Sequence, residues 1–167
     1  MARVRTVSDS VDIPGVTPQQ VYEQISDPTR MGRWSPENTG AVVERGEGNL
    51  IVGDVFVGSN ARGGRRWHTR CEVSAAEPGA RFAFDVVAWG LGSPRLRLPV
   101  AGWEYRMEPV GDGTRVTETW TDHRGWPDVV AGVFDRAATG GRTFAQWQEG
   151  NISRTLARLR DDLATAT

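Results

Sequence analysis

Val11-Asp12-Ile13-Pro14, then Thr17-Pro18-Gln19-Gln20-Val21-Tyr22-Glu23-Gln24-Ile25, Ser26-Asp27-Pro28 and Arg33-Trp34-Ser35-Pro36-Glu37, is the stretch that decides how this chain folds. It reads as a strand that stops at a proline, followed by two short helices expected at about 18–26 and 28–34. Each helix opens on a cap followed by proline, Thr17-Pro18 and Asp27-Pro28. Proline suits the first helical position, where its missing N–H would be unbonded anyway. Thr or Asp before it accepts a hydrogen bond from an orphan backbone N–H.

Upstream, residues 3–13 alternate loosely and make the first strand. Downstream, from 40 to 123, the sequence is strands broken by turns. Ala41–Arg45 and Gly53–Asn60 are expected strands, and Arg62-Gly63-Gly64-Arg65 reads as a hairpin turn. Next, Trp67, Thr69, Cys71 and Val73 share one strand face, and Arg66, His68, Arg70 and Glu72 the other. That alternation marks a half-buried antiparallel strand. Phe82, Phe84 and Val86 repeat it after the Pro78-Gly79 turn, as do Trp103, Tyr105 and Met107. Gly111-Asp112-Gly113 turns the chain into a last strand over Thr114–His123.

The C-terminal part is helical. Trp126-Pro127-Asp128 opens a segment with Val129, Val130, Val133 and Phe134 at helical spacing, and Gly140-Gly141 interrupts it. A long helix is expected over about 142–164, with Ile152, Leu156, Leu159 and Leu163 as an apolar stripe.

Composition narrows the function classes. The net charge is −1, so no global field recruits nucleic acid or an anionic membrane. All 20 basic residues are Arg; without Lys, Schiff-base and amine-nucleophile chemistry has no side-chain amine. Cys71 stands alone, which excludes an intramolecular disulfide. Neither a signal-peptide pattern nor a membrane-length apolar run is seen. These features predict a single domain over 1–167, cytoplasmic, with no membrane span and no nucleic-acid partner, as a monomer or homodimer.

The order of strand, two small helices, six antiparallel strands and long amphipathic helix resembles the START-like (SRPBCC) superfamily. Local phrases are similar to its polyketide cyclase/dehydrase branch. They are the 11–22 entry, Ser26-Asp27-Pro28-Thr29-Arg30-Met31 with Trp34, Trp67-His68-Thr69-Arg70-Cys71-Glu72-Val73 and Pro78-Gly79-Ala80-Arg81-Phe82-Ala83-Phe84. Trp103–Pro109, Gly113–Glu118 and Asn151-Ile152 before Arg154-Thr155-Leu156 continue the series. The resemblance implies an α+β helix-grip (START-like/Bet v 1-like) fold, with a curved seven-stranded antiparallel sheet around a long C-terminal helix. It implies an apolar pocket between them, no cofactor, and no particular activity, since this fold serves many.

Seven Trp in 167 residues is a heavy load. Trp67 with Thr69, Trp103 and Trp120, beside Phe82 and Phe84, either wall a pocket for a flat or lipid-like ligand or fill a plain core. At 100° per residue, Phe144, Gln148, Asn151 and Thr155 share a broad sector with Ile152 and Leu159, and Trp147 lies close by. Polar groups on an inward helix face imply water-filled space or a polar ligand group, unless the helix is in another phase. Glu118 is the carboxylate of most interest. With Val116 and Trp120 inward it is a desolvated acid able to donate or take a proton; with the Thr residues inward it is a surface charge. Tyr105 is the second candidate proton donor, or a core Tyr with one hydrogen bond.

His68, Cys71 and His123 show no metal-ligand spacing, so no metal is expected. The Arg62-to-Arg70 cluster either meets an anionic ligand or is a solvated basic edge. The Gly90–Pro99 connection and the 126–140 segment are candidate lids. Three functions compete: an enzyme of polyketide cyclase/dehydrase type performing aldol cyclisation and dehydration, a non-catalytic lipid or metabolite carrier, and an Hsp90-activator-like interaction domain. Hydrophobic small-molecule binding is the expectation, with catalysis left open.

Overall fold

Capping and alternation shape the elements as expected, and in the computed structural model they follow one another in a simple order. The chain runs β1 (Thr6–Ile13), α1 (Pro18–Ile25), a 3₁₀ helix (Pro28–Arg33), β2 (Asn38–Val43), β3 (Val55–Arg62), β4 (Arg65–Glu77) and β5 (Arg81–Gly90). It continues through β6 (Leu96–Val110), β7 (Gly113–Asp122), α2 (Asp128–Thr139) and α3 (Phe144–Ala164). The structure describes residues 2–45 and 48–164, so the remaining residues of the expected 1–167 domain lie outside it. No described helix is long and apolar enough to cross a membrane.

The strands form one seven-stranded sheet in the order β1-β7-β6-β5-β4-β3-β2, every neighbouring pair antiparallel. The sheet closes around α3, which packs along β1 and β7 and buries Ile152, Leu156, Leu159 and Leu163. The expected apolar stripe is thus the face that the sheet grips. Gly63 (φ 52°) and Gly64 (φ 79°) make the two-residue turn between Arg62 and Arg65. Both sit in the left-handed region, where a residue with a side chain would be strained.

Thr17 accepts from the Gln20 N–H at 3.2 Å, and the Gln20 side chain accepts from the Thr17 N–H at 2.8 Å, a reciprocal capping box. The helix so started buries Val21, Tyr22 and Ile25. Thr17→Ala should lower stability by about 1 kcal/mol, read as a shift of the urea midpoint with an unchanged slope.

Three boundaries differ from expectation. The second helix, expected at about 28–34, is a 3₁₀ helix that ends at Arg33; Asp27 caps it by accepting from Thr29 N–H at 3.1 Å. The strand expected at Ala41–Arg45 begins earlier, at Asn38, where a register irregularity lets Asn38 pair with Asn60. The Gly90–Pro99 connection is not a long loop. Trp89 pairs with Leu96 and Ala88 with Arg97, so β5 and β6 continue as a ribbon joined by residues 91–95. Pro99 falls where the register shifts between Val86 and Ala88, and such an irregularity tolerates its missing N–H.

Candidate functional site

Alternation and closure together leave a cavity of about 580 Å³ between the concave sheet face and α3, within the range of small-molecule sites. β4 supplies Trp67, Thr69 and Cys71, while β5 supplies Phe84, Val86 and Trp89. β6 adds Trp103 and Tyr105, and β7 adds Glu118 and Trp120. Phe144, Trp147, Gln148, Asn151 and Thr155 face the same space from α3. The β7 phase left open by the sequence is therefore the one with Val116, Glu118 and Trp120 inward.

Of the residues expected around a ligand, Trp67, Thr69, Phe84, Trp103, Trp120, Phe144, Trp147, Gln148 and Asn151 lie on this wall. Phe82 does not. It shares the strand face with Phe84 but is fully buried beneath α1, where the Tyr22 ring meets it edge-on at 6.4 Å. α1 closes that end of the concave face, and Phe82 belongs to the seal. Sequence reasoning did not place Trp34, Trp89 and Trp126, which come from a helix end, a register irregularity and a loop. With them, all seven tryptophans of the chain touch the cavity. The heavy Trp content was the available signal; the assignment of each residue needed the long-range packing.

At the inner end, Tyr105 Oη donates to Glu118 Oε1 at 2.8 Å. Adjacent antiparallel strands hold the two residues in register. Glu118 is 1 % exposed. Burial pushes its pKa up to about 8, against the opposing hydrogen bond from Tyr105, with the charge of Asp9 adding to the rise. Burial, then the Glu118 charge, raises the Tyr105 phenol well above its ordinary value. Glu118 Oε2 is buried without a hydrogen-bond partner among the described residues. At neutral pH the group is mainly a carboxylic acid, able to donate from one oxygen while Tyr105 holds the other. Cys71, three strands away on β4, is inert by comparison, since burial pushes its thiol up to about 12.

The mouth is bounded by α2 and the β3–β4 and β5–β6 hairpins. Trp147 Nε1 donates to Glu37 Oε1 at 3.0 Å, and Arg62 Nε donates to the same oxygen at 2.9 Å. The Arg62 guanidinium lies over the Trp147 ring, 3.2 Å from its centroid. This clasp joins the segment before β2, the end of β3 and the start of α3. Asn151 donates to Gln148 Oε1 at 3.0 Å and accepts from Arg154 at 2.9 Å, which links three polar side chains near the start of α3.

A second buried polar cluster fixes the corner between α2 and α3. Arg124 makes a two-point pair with Asp122 (2.9 and 2.6 Å) and reaches Asp135 Oδ1 at 2.7 Å. Asp135 Oδ2 in turn accepts from the Phe144 N–H at 3.0 Å, at the first residue of α3. The Arg124 guanidinium stands 4.6 Å from the Phe144 ring centroid. Burial raises the Asp122 pKa, but the hydrogen bonds and charge of Arg124 outweigh it and hold the carboxyl below its ordinary value. α2 turns Ala131 and Asp135 inward. Phe134 meets Trp126 and Phe144 edge-on, whereas Val129, Val130 and Val133 face outward.

His68 lies on the outer sheet face beside Ser59, its Nδ1 3.3 Å from the hydroxyl, and His123 pairs with Asp85 at 3.5 Å. Among the described residues no three His, Cys, Asp or Glu side chains converge as metal ligands.

The family model for polyketide cyclase/dehydrase and lipid transport matches residues 4–164. No curated protein matches the sequence. Among solved structures, a START superfamily protein from Mycobacterium smegmatis superposes with a TM-score of 0.70 at 11 % identity, over 98 % of this chain and 100 % of that one. A Polyketide_cyc-like protein from Corynebacterium glutamicum is 30 % identical over 98 % of this chain and 93 % of its own, with a TM-score of 0.57. A major latex-like protein from Panax ginseng gives 0.60 at 13 % identity, over 96 % and 95 % of the two chains. The shared architecture is the helix-grip fold.

Proposed function

The chain belongs to the polyketide cyclase/dehydrase and lipid transport family, and we propose that it binds one hydrophobic or aromatic small molecule between its sheet and α3. The observation that carries this reading is the gathering of all seven tryptophans around one cavity of about 580 Å³. A chain that merely needed core volume has no reason to aim every indole at the same space. Indole faces offer large apolar area and a stacking surface, which suits a flat, lipid-like or polyketide ligand. On this reading the protein acts in the cytoplasm, alone or as a homodimer, and α2 with the β5–β6 ribbon covers the ligand.

The Tyr105–Glu118 pair supports a catalytic form of the same reading. For an aldol ring closure, the protonated Glu118 gives its proton to a ligand carbonyl oxygen as the new C–C bond forms. The nucleophile reacts as its enol, whose O–H proton returns to Glu118 as that carbonyl is restored. In the dehydration Glu118 protonates the departing hydroxyl, which leaves as water, and takes up the α-carbon proton as the C=C bond forms. Tyr105 positions the carboxyl, and confinement of a flexible chain in the folded pose supplies most of the acceleration.

Native mass spectrometry of the purified protein, followed by calorimetric titration with fatty acids and aromatic polyketides, tests the binding. One bound molecule per chain is expected. An empty protein that binds none of the panel overturns the reading. If the pair is catalytic, Glu118→Gln and Tyr105→Phe lower turnover while leaving binding in place; unchanged turnover removes that role.

A further inference from the structure

The inward row of the β3–β4 hairpin changes character toward the cavity mouth. Phe56 faces Cys71 at its inner end, Gly58 faces Thr69 next, Asn60 faces Trp67, and Arg62 faces Arg65 last. Along β4 the path from Cys71 to Arg65 is about 20 Å at roughly 3.3 Å per residue. A floor that is apolar at Phe56 and Cys71 and turns mixed at Thr69, Asn60 and Trp67 therefore ends in two arginines directly opposite each other, both on the cavity wall. Like charges in that register repel, and the two-glycine turn beyond them keeps them together.

Little answers this charge. Glu37 meets Arg62, but through the same oxygen that takes the Trp147 indole N–H. Arg65 and Arg66 carry no ion pair among the described residues. Burial lowers the Arg62 pKa, Glu37 restores part of it, and the nearby charges of Arg154 and Arg65 lower it again. The pose of Arg62 matters as much as its charge. Its Nε is fixed by Glu37 and its flat face by Trp147, while its two terminal nitrogens make no hydrogen bond among the described residues. A guanidinium held by its inner nitrogen and its face presents a free two-donor edge, the geometry that matches a carboxylate or phosphate.

We propose that Arg62 and Arg65 form an anion subsite at the cavity mouth, which takes the terminal carboxylate or phosphate of an amphipathic ligand whose apolar body lies against the tryptophans. The inference rests on the binding function proposed above and narrows the ligand from hydrophobic molecules at large to anionic amphiphiles. The Arg62 edge grips two oxygens, Arg65 supplies the second charge, and the tail runs down the β3–β4 floor.

Calorimetric titration of the full chain with palmitate, hexadecyl phosphate and methyl palmitate tests it. The expected result is that one or both anions bind at least tenfold more tightly than the ester, the tighter one naming the head group. Charge-assisted hydrogen bonds are worth about that factor or more. In Arg65→Gln, an exposed position without an ion pair among the described residues, the preference for anion over ester should shrink about tenfold. In Glu37→Gln, which removes the competing carboxylate but keeps an acceptor, the preference should widen. Ester and anions binding equally, or a preference untouched in both variants, overturns the subsite and leaves the cavity reading intact. Inorganic phosphate that displaces palmitate at equal concentration overturns it as well, since that marks an anion patch independent of the cavity. No binding by any of the three, together with failure of the aromatic panel, defeats both readings.

Discussion

Arg124→Met should destabilise the protein by about 3–5 kcal/mol, the cost of breaking a buried ion pair from one side. The side chain is 2 % exposed and serves two carboxylates, Asp122 and Asp135, that are buried as well. Without the guanidinium both remain inside; Arg3, 3.6 Å from Asp122, answers that carboxylate, while Asp135 loses its ion pair. Urea unfolding followed by circular dichroism measures the loss. A combined Arg124→Met, Asp122→Asn, Asp135→Asn variant should recover part of it, because neither carboxylate is then stranded and Arg3 keeps Asp128 at 3.7 Å. A loss under 1 kcal/mol for the single variant would sink the assignment. Ligand binding should weaken too, since Asp135 holds the first N–H of α3 and Arg124 faces Phe144 on the cavity wall.

The second large effect depends on pH. Glu118 titrates near 8 in the folded protein, against about 4.3 in an unfolded chain. A raised folded value means that the native state holds the extra proton between those limits. Stability is then full below the unfolded pKa and is lost as pH rises through the folded one. Between pH 6 and pH 9 the protein should lose roughly 2–3 kcal/mol from this group, at about 1.4 kcal/mol per unit. Glu118→Gln should abolish that slope. Its amide oxygen still accepts from Tyr105, its N–H₂ replaces the acid's donor, and nothing ionises. Thermal unfolding of both proteins across the pH range decides the matter. Parallel curves for the two would show that Glu118 is not the titrating group.

How much of this was legible in the chain depended on the range of the interaction involved. Caps and turns are local, so Thr17-Pro18, Asp27-Pro28 and Arg62-Gly63-Gly64-Arg65 announced their elements. Period-two alternation is nearly local, and it put Trp67, Thr69 and Phe84 on the correct face without further help. Glu118 was harder, because β7 alternates an acidic and aromatic face with a Thr face, and either is a plausible interior. The partner that settles it, Tyr105, lies on the neighbouring strand and pairs with it in register. Phe82 shows the opposite failure. Its face was right, but a strand face does not say where a cavity ends, and the helix that closes it comes from residues 18–25. Trp89 escaped notice because the register shift after Val86 breaks the simple alternation. The Arg124 cluster was out of reach altogether, since its members span β7, a loop and α2 and acquire meaning only when the helices meet.

Because every indole in the chain borders the same space, the protein's ultraviolet emission reports on that space alone. There is no distant tryptophan to dilute the signal with an unchanging background. A ligand that displaces solvent or stacks on the rings should alter the whole emission, in colour and yield, without any dye or label. The same property imposes a discipline: a blue shift on adding a hydrophobic compound and a red shift on unfolding will occupy one channel. Occupancy and denaturation must therefore be separated by a second probe before either is read from the fluorescence of this protein.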